Sequence, residues 1–198
     1  MDKFSYAIGL GIGQNLLSMG AKGIAVDDFA QAIKDILEGN KTAISHAEAR
    51  DIVNKYFAEL EEKMNAASIE QGVQFLEENK KRPNVVTLPS GLQYEVINEG
   101  KVGTYAKATD QVKCHYEGTL IDGTLFDSSI KRGQPAVFGV NQVIPGWVEA
   151  LQLMPEGAKW KLYIPSDLAY GAQGAGEMIP PHSTLIFEVE LLEILSQK

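Results

Sequence analysis

Few side chains in this sequence have the chemistry of a nucleophile, a general base or a metal ligand. The single cysteine, Cys114, stands next to His115 and looks reactive. Neighbouring residues of a β-strand point to opposite faces, however, so we expect a buried and inert thiol. His46 and His182 lie far from His115 in sequence and form no ligand-like spacing with it. A lone cysteine also excludes an intramolecular disulfide, and the sequence therefore predicts no cofactor and no metal site.

An apolar stretch, Val143–Trp147, is the stronger candidate for a functional site. Pro145 suits the first turn of a helix, and Leu151 follows Trp147 by four residues, so the pattern predicts a short helix here. A tryptophan at the start of a lone helix, among strands, is well placed to form the floor of a cleft. By spacing alone, such a residue is more often part of a core than of a pocket, and both interpretations stay open at this point.

The elements that precede this region are helical. Apolar residues recur every four positions over 4–20, with Gly9 and Gly13 on another face, which favours close packing against a second helix. Residues 27–38 predict a second helix, with Asp27 as its cap. Two short helices and half of a longer one make a small core, so we expect a homodimer through these N-terminal helices.

A third helix begins at the capping-box pattern after Ser45 and meets no proline before Pro83. Its first half carries a heptad stripe and its second half is polar all round, which is typical of a helix that bridges two domains. The alternative is a helix that breaks at Gly72 and continues as a flexible linker. We therefore predict a helical dimerisation domain with a long connecting helix at 1–83, and a second domain at 84–198.

From Gly91 onward the apolar period changes from 3.6 to 2, which indicates strands. The fold class is therefore α+β, with an antiparallel sheet of five to six strands wrapped on the short helix. The segments that carry this strand pattern are 92–97, 112–116, 118–121, 126–129, 137–140, 158–165 and 184–195.

Composition narrows the choice of partners. The chain has 198 residues, is 44% hydrophobic and 22% charged, and carries a formal charge of −8 with a pI near 4.9. Nucleic acid and anionic membrane surfaces require clusters of lysine and arginine, so neither is an expected partner. No stretch is long and apolar enough to span a bilayer, and residues 1–4 lack the pattern of a signal peptide, so we expect a cytoplasmic protein.

Six motifs between residues 88 and 198 occur together in a specific order and resemble the FKBP-type peptidyl-prolyl isomerases. The N-terminal helices look like the dimerisation segment of the bacterial Mip/FklB-like branch, in which helical segments of two chains intertwine. The motifs are Tyr116–Leu120, Asp122–Ser129, Val143–Trp147, Ala169–Gly171, Ile179–His182 and Phe187–Leu191.

The resemblance implies an enzyme that accelerates cis/trans isomerisation of the peptide bond before proline. It implies that Trp147 is the floor under the prolyl ring, and that the Tyr170 hydroxyl and the Ile144 backbone N–H bind ligand carbonyls. The family's well-studied small members carry an aromatic residue where this chain has Ala136, so we expect one lower wall. The implied catalytic residues are Tyr116, Phe126, Asp127, Tyr170 and Phe187, and the implied substrate-binding residues are Val143, Ile144, Trp147 and Ile179.

An apolar site suits this chemistry. Rotation about an amide costs about 18–20 kcal/mol because the planar form is resonance-stabilised, and no covalent bond is broken. The planar amide is more dipolar than the twisted one, so transfer from water to an apolar pocket penalises the planar ground state more.

The expected partners are unfolded or proline-containing polypeptides and macrolide inhibitors of the tacrolimus and rapamycin type. The dimer would also act as a chaperone for unfolded chains. The alternative is a module that binds proline-containing segments, with incidental turnover. A metal-handling isomerase of the SlyD kind is disfavoured, because no tail rich in histidine and cysteine follows Leu195.

Overall fold

The computed structural model describes residues 1–195, and it confirms the α+β class with helices first and an antiparallel sheet after them. The chain divides into two compact units, Met1–Lys63 and a second one that begins at Met64. The predicted domain boundary between residues 83 and 84 stays a prediction. Among residues 1–195, no helix combines the length and apolar character that crossing a membrane requires.

The first unit contains helices α1 (Lys3–Ser18) and α2 (Val26–Glu38) and the first part of α3 (His46–Asn79). The predicted Asp27 cap is wrong, because α2 begins one residue earlier and its N-cap is Ala25, which makes no side-chain cap bond. Asp27 lies instead in the first turn, where a negative charge favours the helix N-terminus.

Helix α3 is continuous through Gly72, so the alternative of a break there is wrong. Its C-terminal half, within the second unit, packs against the β-structure. A Cβ at Gly72 would lie 2.5 Å from Thr184 Oγ1, so only glycine lets the helix approach this closely. Asn79 is buried and donates to Gln93 Oε1 over 2.9 Å. This end of α3 therefore packs on the sheet, whereas the sequence predicted a bridging segment exposed on all sides.

The main sheet has seven strands, all paired antiparallel, in the order β1-β2-β8-β9-β4-β5, with β6 also on β4. This is one or two strands more than predicted, and the short β1, which pairs with β2, is one that was not expected. Strands β3 and β7 form a separate pair. The strands are β1 Val85–Thr87, β2 Gln93–Asn98, β3 Lys101–Tyr105, β4 Gln111–Leu120, β5 Leu125–Ser128, β6 Ala136–Gly139, β7 Pro155–Glu156, β8 Lys159–Ile164 and β9 Leu185–Leu195.

Helix α4 (Pro145–Leu153) shares one core with the sheet and presents the central tryptophan. Pro145 is at its start as predicted, and the carbonyl of Ile144 accepts from the N–H groups of Trp147 and Val148 over 2.9 and 3.1 Å. Gly146 lies so close to β8 that a Cβ would be 2.5 Å from Ile164 Cγ2. The helix therefore sits tightly on the strand, which sets the depth of Trp147.

Candidate active site

One cavity of about 670 Å³ brings together all nine predicted site residues. They come from five places in the second unit: strand β4, strand β5, the residues that lead into the first turn of α4, the long loop after β8, and the start of β9. The nine are Tyr116, Phe126, Asp127, Val143, Ile144, Trp147, Tyr170, Ile179 and Phe187.

Trp147 forms the base of this cavity, where it is 4% exposed and still lines the open space. Tyr116 and Phe187 meet its ring edge to face, each with centroids 5.3 Å apart. Phe138 does the same at 5.6 Å. Edge-to-face contacts at these distances are favourable because the positive ring edge meets the negative ring face. Within residues 1–195, the indole N–H of Trp147 is buried and has no hydrogen-bond partner.

A glycine on β4 makes room for two of the aromatic walls. A Cβ at Gly118 would lie 2.6 Å from the Phe187 ring and 2.7 Å from the Phe126 ring. These two rings pack edge to face with centroids 5.4 Å apart. The bare backbone at Gly118 therefore allows both rings to pack over the strand, which the residue types alone did not indicate.

A polar network closes one side of the cavity. The Tyr116 hydroxyl donates to Asp127 Oδ2 over 2.6 Å, and Arg132 Nη2 donates to the Tyr116 hydroxyl over 2.7 Å. Arg132 also pairs with Asp127 Oδ1, and its guanidinium carbon lies 5.6 Å from the centre of the Tyr116 ring. The three side chains thus hold one another in place and fix the orientation of the Tyr116 ring.

This network sets the charge state of its members. Burial alone would raise the pKa of Asp127, but the hydrogen bonds from Tyr116 and Arg132 outweigh it, so the pKa lies below the ordinary value. Burial and donation to Asp127 raise the pKa of Tyr116, against the opposing effect of Arg132. Near neutral pH, Asp127 is therefore a carboxylate and Tyr116 a neutral donor.

Among the hydrogen-bond donors at the cavity, two that were predicted to bind carbonyls have no acceptor within residues 1–195. They are the Tyr170 hydroxyl and the backbone N–H of Ile144, the groups for which carbonyl binding was predicted. Tyr170 is 40% exposed, so its hydroxyl is open to a ligand. Free donors on apolar walls are what orients a bound ligand by its carbonyl groups.

Sequence reasoning missed one member of the polar network and several residues of the cavity lining. Arg132 stands five residues after Asp127, and a cation near a predicted functional carboxylate was the signal that could have found it. Ala136 is not a wall of the cavity, whereas Phe138, two residues later on β6, contributes its ring. The other residues not predicted are Gln142, Ala175, Gly176, Glu177 and Met178.

The residues that looked reactive lie outside the cavity. Cys114 is fully buried in the core, and burial raises the pKa of its thiol to about 12. His115, on the same strand, hydrogen-bonds Ser129 Oγ over 3.0 Å. His182 belongs to the loop before β9, where it adopts a positive φ of 58°. None of the three lines the site.

Comparisons with known proteins agree with this geometry. Residues 103–192 match the family model described as FKBP-type peptidyl-prolyl cis-trans isomerase, and residues 1–96 match the domain amino-terminal to it. An FKBP-type 22 kDa peptidyl-prolyl cis-trans isomerase of Escherichia coli K12 is 50% identical over 96% of this chain and 94% of its own length.

Two further relatives cover nearly the whole chain. An outer membrane protein MIP of Legionella longbeachae is 42% identical over 98% of this chain and 85% of its own. The crystal structure of FkpA from Escherichia coli superposes with a TM-score of 0.80 at 34% identity, and covers 98% of this chain and 96% of that one.

Proposed function

The chain belongs to the FKBP-type peptidyl-prolyl cis-trans isomerases, an enzyme family, and from this we propose which residues perform the isomerisation. The observation that carries the proposal is the aromatic cavity above Trp147, with two unoccupied donors at its edge. We assign catalytic roles to Tyr116, Phe126, Tyr170 and Phe187, a positioning role to Asp127, and substrate binding to Val143, Ile144, Trp147 and Ile179.

The prolyl ring would rest on the indole of Trp147, with the rings of Phe126 and Phe187 as walls of the cavity. In this apolar space the dipolar planar amide loses more solvation than the twisted amide, which lowers the rotational barrier. The Tyr170 hydroxyl and the Ile144 N–H would hold flanking carbonyls while the bond turns. Asp127 and Arg132 affect the reaction only indirectly, because they orient the ring of Tyr116.

An assay of Xaa-Pro isomerisation tests this assignment. We expect acceleration on a short neutral peptide and on a protein whose refolding is limited by proline. Trp147→Ala should remove it, although that variant can also lose the core. Tyr170→Phe deletes only the hydroxyl of a partly exposed residue, so this variant should stay folded and still show a lower rate. A folded wild-type protein without any rate gain would leave only the binding module of proline-containing segments.

Macrolide inhibitors of the tacrolimus and rapamycin type are proposed as ligands of the same cavity. Its volume of about 670 Å³ lies within the range for drug-sized ligands, and Phe138 supplies an aromatic ring near Ala136. We expect rapamycin to inhibit turnover in competition with peptide. Inhibition that does not depend on peptide concentration would place the drug elsewhere.

We further propose a homodimer through the N-terminal helices. None of the residues of α1 is buried, and Phe4, Leu10 and Leu17 are 73%, 59% and 64% exposed. An apolar helix of this kind needs a partner, and a second copy of the chain supplies an equally apolar surface.

Gly13→Leu is the test of this interface. We expect a smaller sedimentation coefficient and unchanged turnover of short peptides, because the cavity lies in the other unit. Ala108→Leu, at an exposed position of the second unit, is the control. A Gly13→Leu protein that sediments like wild type would refute the interface.

Chaperone activity and a cytoplasmic location also remain proposals. Two cavities in one dimer would bind an unfolded chain with avidity, so Gly13→Leu should suppress aggregation of a denatured protein less well than wild type. Since one relative is named an outer membrane protein, cell fractionation decides the location.

A further inference from the structure

The loop between Tyr170 and Pro181 carries an acid and a long apolar side chain at the rim of the cavity, and neither has a role so far. Glu177 and Met178 both line the cavity and both are exposed, Met178 by 49%. From their placement we propose that they form a subsite for a basic residue, lysine or arginine, next to the proline of the substrate. This inference rests on the proposed function.

The backbone holds the tip of the loop in a fixed geometry. Ala175 and Ile179 exchange two hydrogen bonds, 2.9 Å from the Ala175 N–H and 3.1 Å from the Ile179 N–H. Gly174 and Gly176 have φ angles of 61° and 54°, which residues other than glycine rarely adopt. A Cβ at Gly174 would also collide with the carbonyl oxygen of Ile179. The Ala175–Ile179 bridge and the two glycines therefore fix the position of the loop tip.

Ile179 anchors this tip to the site. It is 7% exposed and belongs both to the core and to the cavity wall. The two preceding residues, Glu177 and Met178, continue from that wall to the solvent. A substrate side chain that leaves the floor over Trp147 in this direction passes an apolar surface first and a carboxylate next.

The charges around the cavity favour a positively charged substrate side chain. Asp127 is the other acid of the lining, and Arg132 already neutralises it. Glu177 forms no ion pair within residues 1–195 and adds a net negative charge to the rim. Lysine and arginine lay their aliphatic stems on apolar surface and keep the charged head in water, which matches Met178 followed by Glu177.

The test compares peptides of one length that carry Lys, Leu, Ala or Glu before proline, and a second set with the same residues after it. Exposed ion pairs contribute little free energy. At low salt, we therefore expect the kcat/KM of the Lys peptide to exceed that of the Glu peptide about fivefold in one of the two sets. Glu177→Gln should reduce this ratio to about onefold to twofold, and Glu177→Lys should invert it. Added salt at about 0.5 M should also reduce the wild-type ratio, since it screens exposed charges.

Two controls separate the subsite from other effects. Glu99→Gln removes the same charge from an exposed position outside the cavity, and it should keep the wild-type ratio. Met178→Ala should lower turnover of the Lys and Leu peptides and spare the Ala peptide.

An unchanged Lys/Glu ratio in Glu177→Gln, or an equal change in Glu99→Gln, would overturn the subsite. Both outcomes would leave turnover of the Ala peptide intact. A wild-type protein that does not turn over the Ala peptide at all would instead overturn the proposed function and its assigned site.

Discussion

Removal of the Asp127 carboxylate tests whether the polar network positions Tyr116 for catalysis. In the wild type, Asp127 accepts from the Tyr116 hydroxyl over 2.6 Å and pairs with Arg132. Asp127→Leu breaks both contacts, whereas Asp127→Asn keeps a carbonyl acceptor for Tyr116 and loses only the charge. The two variants therefore separate the orientation of the ring from the ion pair.

The expected size of the effect follows from exposure. A buried hydrogen bond to a charged group contributes about 1.5–3 kcal/mol. The Asp127 side chain is 40% exposed, so we expect about 1 kcal/mol for its loss, in line with partly exposed ion pairs. In a domain of this size, that corresponds to a Tm lower by about 3–5 °C. The protein should therefore remain folded at assay temperature.

Turnover should fall by more than stability alone explains. The Tyr116 ring meets Trp147 edge to face at 5.3 Å and forms a wall of the cavity, so a ring free to turn opens that wall. We expect kcat/KM on a short peptide to fall about tenfold in Asp127→Leu, which is about 1.4 kcal/mol, and about threefold in Asp127→Asn. Asp122→Leu, outside the cavity, is the control for loss of an acid.

A double-mutant cycle gives the sharpest outcome. Tyr116→Phe and Asp127→Leu break the same hydrogen bond, so their effects on kcat/KM should not add. Full activity in Asp127→Leu, or two effects that simply add, would refute a positioning role for the carboxylate.

The same network predicts how the protein responds to pH. The folded-state pKa of Asp127 lies below its ordinary value of 3.8, so the carboxylate stabilises the fold above that value. This stability is lost as the pH falls through the folded-state pKa, and Asp127→Asn should unfold with a weaker dependence on acid pH. Because Asp127 stays charged and Tyr116 neutral from about pH 6 to 8, kcat/KM should be flat over that range.

Three further predictions concern other parts of the second unit. Tyr170→Phe should lower kcat/KM several-fold at unchanged Tm, as measured by the peptide assay and thermal unfolding; full activity would remove this hydroxyl from the site. Gly72→Val places a side chain against Thr184 and should destabilise the protein by about 1–3 kcal/mol in urea unfolding, whereas Ala66→Val on an exposed position of α3 should cost less than about 1 kcal/mol. Cys114, with a pKa raised to about 12, should react with a thiol reagent at pH 8 only after unfolding, so fast labelling of the native protein would contradict its burial.

The helices and the main strands could be predicted from sequence because their apolar periods are long. Helix α3 and strand β9 are examples, and both occur close to the predicted bounds. The short strands β1, β3 and β7 were missed, since two to five residues carry too little pattern to distinguish a strand from a loop. The missed burial at the end of α3 has another cause, because Gly72 and Asn79 look like breaker and polar surface until a partner strand is known.

The candidate site was predictable in its residues but not in its connections. All nine side chains came from the family resemblance, and spacing alone would have left Phe126, Trp147 and Phe187 as core residues. Arg132 was missed because its role depends on a turn that brings it back to Asp127, which no local period reports. Glu177 and Met178 were missed for a similar reason, since a polar loop residue next to a methionine has no pattern of its own.

The difference between a core aromatic and a pocket aromatic depends on the glycines around it. At Gly118, Gly146 and Gly174 a Cβ would overlap Phe187, Ile164 and the Ile179 carbonyl, respectively. Each glycine brings a backbone segment or a ring closer than another residue would allow, and together they shape the wall, the floor and the rim of one cavity. Aromatic residues supply the apolar surface, but close backbone approach determines where this surface stays open to a ligand. A search for such sites in sequence should therefore weigh glycines next to aromatic positions as heavily as the aromatic residues themselves.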